Sequence, residues 1–346
     1  MKKRLRIIDL RQTETAFNLA VEEYFFHRHP ELVGPALCLL YVNQPSVVIG
    51  KSQNAFREVS WLKAAELEIP VQRRISGGGA VYHDLQNLNY SFIVPRREDL
   101  VLNYKAFLKA IREYLEKFGL ESWIYNKSNL YIGEHKISGN AQALSKDLIL
   151  HHGTLLYASN LAQLTELLHH SQPGLYSKAV LSEPAPVKNI AELIGPNAPS
   201  LEDFRSGLIE EFKQKGWPGA DSSGEEAELR ALSEAEEREI TELLLPEFRS
   251  WEWNYARSAK FTISREWAAF SWDLALLKAR IEEITFRAIA EDCTPPSLKA
   301  DQAYKIADML RGCELRIEDL RARLDSLESE QREAFIKAIF GPLAKK

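Results

Sequence analysis

Cysteine is scarce in this chain. The three cysteines, Cys38, Cys293 and Cys313, are odd in number, far apart and in no CxxC pair, which excludes a disulfide framework and a zinc-type ligand spacing. They read as structural thiols of a protein in a reducing compartment. Long apolar runs are missing too: no stretch reaches the length of a membrane span. The opening MKKRLRIIDL has basic residues but neither an apolar h-region nor a small-residue cleavage site behind them. A cytoplasmic protein without a membrane partner is the expectation. Basic residues do not exceed acidic ones, 44 against 49 with a net charge of -5, so there is no excess of the kind that holds a nucleic-acid backbone. Nucleic acid is thereby excluded as the main partner, while a local basic pocket for a nucleotide is not. Internal repeats and low-complexity tracts are absent, and no spacing identifies a set of metal ligands.

What is present is a globular enzyme composition, 45% apolar and 27% charged over 346 residues, enough for one core and a smaller second one. Short apolar runs at 4–9, 36–42, 46–49, 71–74, 89–94 and 148–157 predict strands. Apolar residues at helical spacing predict helices over 15–27, 103–118 and 201–215. Strands and helices do not alternate regularly, so the expected fold is α+β with a mainly antiparallel or mixed sheet rather than a doubly wound one. Five prolines make 172–200 a loop. The small, polar and acidic stretch GWPGADSSGEEAE, 216–228, reads as an interdomain linker. Beyond it come an acidic helix at 233–244, a strand-like section with two aromatic clusters at 251–286 and a charged helical tail from about 296. The division expected is a catalytic domain over 1–220 and a smaller α+β domain over 225–346.

The densest chemical signal is RRISGGGAVYHD, Arg73 to Asp84. Three glycines, Gly77 to Gly79, stand between two strands, where the backbone can turn tightly and bring N–H groups to an anion. Glycines also serve ordinary turns, so the triplet gains weight from its company. Arg74 offers a planar fork of donors for carboxylate or phosphate, and Ser76 and His83 add hydrogen-bonding groups beside the loop. A second signal is HKISGNAQAL, with Lys136 ahead of a Ser-Gly-Asn turn. Such a lysine is a compact charge able to bridge two oxyanions that repel each other, although a lone lysine is more often a solvated surface charge. In HHGTLLY, His151 and His152 are adjacent on a strand and point to opposite faces, which excludes a simple two-ligand metal site and makes at least one of them structural.

Taken in order, NLAVEEYFF (Asn18 to Phe26), PSVVIGKSQN (Pro45 to Asn54), RRISGGGAVYHD, KISGNAQ (Lys136 to Gln142) and HHGTLLY resemble the lipoate-protein ligase A family at that family's spacings. The resemblance covers about 5–215 and continues more weakly into WEWNYARSAKFT, similar to the aromatic motif that opens the family's accessory C-terminal domain. It implies a catalytic domain of the biotin/lipoate-protein ligase type with a mixed sheet and a smaller α+β accessory domain. The implied activity is ATP-dependent activation of lipoate to lipoyl-AMP, then transfer of the lipoyl group to a lysine of an acceptor. ATP and Mg2+ are the implied cofactors. Lipoyl domains of 2-oxoacid dehydrogenase complexes and the glycine-cleavage carrier protein are the implied partners. Carried over by residue, Arg74 contacts nucleotide or lipoate carboxyl, and Gly79, Ala80, Val81 and Tyr82 run along the nucleotide. Lys136 is the catalytic lysine, and apolar residues such as Val81 line a tunnel for the alkyl chain. Ser76, Gly77, Gly78 and His83 complete the expected binding set.

Three departures stand out. Where the family commonly has His-Asp-x-Gly-Asn, this chain has Gln86 at the glycine position; where it has Asn-Asp before the lysine, Ser128 and Asn129 stand; and its later arginine-containing segment is replaced by APVKN, Ala185 to Asn189. Two alternatives compete with the ligase. One is a lipoyl or octanoyl transferase of the same fold that uses preformed lipoyl-AMP or acyl-carrier donors, with a cysteine nucleophile in some versions. The other is a non-catalytic lipoyl- or nucleotide-binding protein, against which Lys136, Arg74 and the full glycine loop speak together.

Overall fold

The computed structural model describes residues 4–126, 128–168, 174–215, 218, 226–267, 270–288 and 300–341. The chain forms two compact units, the first from residues 1–51, 72–165 and 183–250, the second from 52–71, 166–182 and 251–346. The units do not follow a single cut near 220: two excursions from the first half belong to the second unit, and 226–250 lies in the first. Apart from 218 and 226–228, the stretch expected as a linker lies outside the described residues, as does Cys293.

The first unit is built on an eight-stranded sheet. From edge to edge it runs Glu226–Arg230, Arg4–Asp9, Ala36–Val42, Asn87–Pro95, Leu148–Leu156, His135–Leu144, Asn129–Ile132, Trp123–Tyr125. Arg4–Asp9 pairs in parallel with both of its neighbours and every other pairing is antiparallel, so the sheet is mixed as expected. Strict alternation of side chains gives the sheet two faces of different character. One face carries Cys38, Tyr90, Phe92 and His151. It is covered by the helices Tyr104–Glu116 and Leu201–Lys215, whose Phe107, Leu108, Ile111, Phe204, Leu208 and Phe212 repeat at helical spacing. Phe107 stacks on His151 at 4.4 Å, and Phe212 meets Phe92 edge-on at 5.0 Å. The Asn103 side chain caps the first of these helices, accepting from the Ala106 N–H at 3.2 Å. The opposite face carries Tyr41, Ser91, Ala141, His152 and Lys136. Near it lie the helix Thr15–Glu23 and the small sheet Val71–Arg73, Ser46–Ile49, Val81–His83.

The second unit holds a four-stranded antiparallel sheet, Leu175–Ser177, Phe261–Trp267, Phe270–Leu277, Arg280–Ala288, with the helices Ala300–Leu310, Ile317–Arg323 and Ser329–Phe340. Its core gathers aromatic rings: Phe56 stacks on Trp61 at 4.7 Å and on Phe261 at 5.5 Å, and Trp251 lies 4.3 Å from Tyr255. No helix among the described residues is long and apolar enough to cross a membrane.

Several elements differ from the sequence expectation. Ser138-Gly139-Asn140, read as a turn, continues the strand His135–Leu144, because Gly139 pairs with Asn129 on one side and Asn140 with Gly153 on the other. Turn composition loses here to cross-strand pairing. The strands Trp123–Tyr125 and Asn129–Ile132 were not legible, being too short to show a period. The proline-rich 172–200 region contains the strand Leu175–Ser177 and the helix Ile190–Ile194, and the strand-like 251–286 section begins with the helical turn Trp251–Asn254.

Gly207 tests the packing of the two covering helices. Helix propensity alone favours Gly→Ala in a helix interior by about 1 kcal/mol. A Cβ at Gly207, however, would lie 2.2 Å from the Tyr114 hydroxyl, which donates to the Phe204 carbonyl at 2.9 Å. Gly207→Ala is therefore expected to destabilise the protein by about 1–3 kcal/mol, read as a lower urea midpoint with an unchanged slope. A raised midpoint would show that these helices do not approach so closely.

Candidate active site

The glycine loop is shaped from within by Arg74. Arg74 is 7% exposed and its guanidinium nitrogens are spent on the loop and its neighbour strand. Nε donates to Ser76 Oγ (3.1 Å) and the Gly77 carbonyl (3.2 Å), one terminal nitrogen to the carbonyls of Gly77 (2.6 Å) and Gly79 (2.7 Å), and the other to the Val48 carbonyl (3.1 Å). In a planar trans peptide the N–H points opposite to the C=O. Drawing the Gly77 carbonyl inward therefore turns the Gly78 N–H away from the arginine, where it can meet an anion. Gly78 holds φ +89°, a region only glycine enters freely, and a Cβ there would lie 2.9 Å from the guanidinium. Gly50 is needed for the same reason from the other side: its Cβ would come 2.3 Å from the Gly78 carbonyl oxygen.

A buried charge needs compensation, and Glu22 supplies it. Glu22 is fully buried on the helix Thr15–Glu23 and accepts from Tyr41 (2.9 Å), Ser91 and His152, whose Nδ1 lies 2.9 Å from Oε2. His152 Nε2 meets Ser76 Oγ at 2.5 Å, so the chain Glu22, His152, Ser76, Arg74 ties helix, sheet and loop together. Burial pushes the Glu22 carboxyl upward, and His152, Ser91 and Tyr41 more than reverse this, leaving it below its usual range. Burial lowers the Arg74 pKa to about 10, against the pull of Glu22 and Tyr41.

Lys136 lies on the same face of the sheet. Its strand is held on one side by Tyr131 and on the other by Pro186–Lys188, with Lys136 N–H donating to the Pro186 carbonyl at 2.8 Å and Lys188 N–H to the Lys136 carbonyl at 3.2 Å. Gly139 makes room for the ammonium group: a Cβ there would lie 3.1 Å from Lys136 Nζ and 3.9 Å from Asn129 Oδ1. Two positions on, Ala141 stands under the glycine loop, 3.6 Å from where a Gly78 Cβ would be. Burial and then the positive charge of Arg74 lower the Lys136 pKa, and Glu183 opposes them. A desolvated ammonium beside a second cation is poised to gain from anions brought between loop and lysine.

The expected set thus divides. Arg74, Ser76, the glycines, His83 and Lys136 gather around the loop. The Val81–His83 strand pairs with Ser46–Ile49, and its alternation sends the Tyr82 side chain away from its neighbours to the Gln163 Oε1, while Val81 is half-buried and Ala80 continues the loop. His83 Nδ1 receives a hydrogen bond from Asn43 at 2.8 Å. Of the departures, Gln86 is exposed and has no positive φ, so the turn closes without glycine; Asp84 Oδ1 accepts the Gln86 N–H at 2.9 Å. Asn129 faces Lys136 as a neutral amide. In APVKN it is Val187, not Lys188, that stands opposite Lys136 in the bridge.

Sequence reasoning gave no role to Glu22, Asn140 or Gly153. Asn140 Oδ1 accepts from the Tyr90 hydroxyl and its amide donates to the Ser128 carbonyl (2.8 Å), and a Gly153 Cβ would intrude at 2.0 Å. A signal for Glu22 existed: Asn18 and Glu22 are polar and four apart on the helix's apolar stripe. Cys38 lies on the helix-covered face, and burial raises its thiol pKa well above the ordinary value.

An anion loop shaped by a buried arginine, on the same face of a mixed sheet as a desolvated lysine, defines an α+β enzyme for anionic substrates. The comparison with known proteins makes this specific: the model of the lipoyl protein ligase A/B catalytic domain matches residues 14–213, and the chain belongs to that family. It is 34% identical over 311 residues to the lipoate-protein ligase LplJ of Bacillus subtilis, covering 86% of this chain and 91% of that protein. Among solved structures, a lipoate-protein ligase A bound with ATP is similar at a TM-score of 0.59 and 25% identity, covering 73% of this chain and 98% of that one. A putative lipoate protein ligase from T. acidophilum with bound lipoic acid is similar at the same TM-score and identity, covering 73% and 99%.

The site has a pH signature. Burial, then Arg74 and His152, lower the His83 pKa to about 3. Between that value and an unfolded value near 6.5 the unfolded chain binds a proton that the folded one does not, so this contribution to stability is full above pH 6.5 and falls as pH drops. His83→Gln is expected to reduce the pH dependence of unfolding free energy between pH 6 and 4 by up to about 1.4 kcal/mol per pH unit. Equal slopes for both proteins in urea titrations would mean that His83 is solvated.

Proposed function

We propose that this lipoate-protein ligase works in two half-reactions at the loop and Lys136. Lipoate and ATP first give lipoyl-AMP and pyrophosphate, and the ε-amino group of a lysine on an acceptor protein then takes the lipoyl group as an amide, with the acyl–phosphate bond broken and AMP and a proton released. The observation that carries the reading is the placement of Lys136, desolvated and repelled by Arg74, on the face that bears the anion loop. A carboxylate attacking an α-phosphate brings two negative charges together, and an ammonium between them lowers the cost of their approach. The Gly78 N–H, turned outward by Arg74, meets phosphate oxygens; Arg74 acts through the loop and through its charge, while Ser76 and His152 hold it. Gly77 to Tyr82 form the path along the nucleotide, His83 closes its far end, and the alkyl chain of lipoate lies against apolar residues such as Val81.

Magnesium would neutralise the ATP phosphates and ease departure of pyrophosphate. Such an ion is held chiefly by phosphate oxygens and water. Asn129 is an oxygen donor on the Lys136 face that can complete its shell. The acceptors in this reading are lipoyl domains of 2-oxoacid dehydrogenase complexes and the glycine-cleavage carrier protein, and the setting is the cytoplasm.

Lipoate-dependent exchange of labelled pyrophosphate into ATP tests the first half-reaction directly. Lys136→Ala is expected to slow it by about 10²- to 10³-fold or more, with the fold intact by circular dichroism. Wild-type exchange rates in that variant would remove the lysine from the chemistry, and lipoylation only from synthetic lipoyl-adenylate by the wild type would replace the ligase with a transferase.

A further inference from the structure

The far edge of the eight-stranded sheet carries two exposed aromatic rings to which the proposed activation step gives no part. Trp123 and Tyr125 are each 45% exposed on the terminal strand Trp123–Tyr125. With Tyr131 they form a three-ring cluster, centroids 5.7, 5.4 and 5.4 Å apart. The register places them on the site face. Trp123 is opposite Tyr131, which is opposite Lys136, and Tyr125 is opposite Asn129, which is opposite Gly139. Two strand spacings, about 10 Å, separate this edge from the lysine strand.

The rings pack on one another and are bracketed by negative charge. The Trp123 indole N–H donates to the Gly133 carbonyl at 3.0 Å, next to exposed Glu134. At the other end Asn126, which follows Tyr125, donates to the exposed Glu183 carboxylate at 3.3 Å. Glu121, two residues before Trp123, is exposed as well. Packed amphipathic rings flanked by Glu121, Glu134 and Glu183 suit an apolar segment that carries a cation, and the edge strand offers backbone groups to a further strand.

We infer that this edge docks the acceptor protein: the segment bearing the target lysine lies along Trp123–Tyr125, its apolar side chains against the rings and its lysine directed along the sheet face toward Lys136. The inference rests on the transfer half of the proposed function. Glu134 and Glu183 draw the ammonium of the incoming lysine, which gives docking its charge complementarity.

The test uses the full chain, a recombinant apo lipoyl domain and synthetic lipoyl-adenylate, comparing wild type with the double variant Trp123→Ala, Tyr125→Ala and separately with Glu134→Lys. The ring variant is expected to raise the acceptor KM about tenfold with kcat retained at saturation, and the charge variant about threefold with a weaker dependence on salt. Lipoate-dependent pyrophosphate exchange without acceptor should stay within about twofold of wild type, which also reports that the variants fold. An unchanged acceptor KM overturns the proposal, and so does a raised KM for ATP with an unchanged acceptor KM, since the rings would then hold the base. Absence of exchange in the wild type strikes the activation reading alone, because the acceptor KM measured from synthetic adenylate still decides the docking surface.

Discussion

Everything at the site depends on one buried cation. The Arg74 guanidinium is enclosed by the carbonyls of Val48, Gly77 and Gly79, and a charge so placed is tolerated only where hydrogen bonds and an opposite charge replace water. The carbonyls give the first and Glu22 the second. The glycines follow from this: a loop that turns the Gly77 and Gly79 carbonyls toward one arginine and the Gly78 carbonyl toward Gly50 needs a left-handed residue at Gly78 and bare backbone at Gly50. So does the positive charge that adds to burial in lowering the pKa values of His83 and Lys136. The surface proposed to meet phosphate is the outer side of a charge that the loop encloses for structural reasons.

The division of labour between the two faces of the main sheet explains why the rest of the first unit looks as it does. The helix-covered face is ordinary close packing of aromatic and aliphatic side chains, with His151 serving as a flat ring between Phe107 and Tyr104. The other face is polar, and its polar groups are bonded to one another: Glu22 with Ser91, Tyr41 and His152, and His152 with Ser76. The bonds that run from Glu22 through His152 and Ser76 to Arg74 fix the shape of the loop from beneath.

Much of this was legible in the sequence, for physical reasons that can be named. Strands such as Ala36–Val42 and Ser46–Ile49 are continuous apolar runs because both faces are buried, and the helices Tyr104–Glu116 and Leu201–Lys215 show a clean period because one face is. The opposition of His151 and His152 follows from strand alternation alone. Ser138-Gly139-Asn140 misled because small polar residues serve turns and close approaches equally; its glycine serves the Lys136 ammonium group. The fastening of Arg74 to its own loop, rather than outward, was out of reach because it depends on Val48 and on the peptide orientations of Gly77 and Gly79. Glu22 could have been found as a carboxylate on an apolar helix stripe, but its partners come from four separate segments.

The position of Cys38 carries a consequence for the chemistry of lipoate itself, whose ring is a cyclic disulfide. Disulfides open by attack of a thiolate, at a rate set by how much thiolate is present and how closely it can approach. Cys38 is the cysteine of the first unit, and the sheet stands between its sulfur and the face that bears the loop and Lys136, while burial keeps the thiol protonated. The first unit of an enzyme that handles a strained ring open to any nearby thiolate thus keeps its one sulfhydryl, Cys38, behind a wall of hydrogen-bonded backbone, where it cannot reach that cargo.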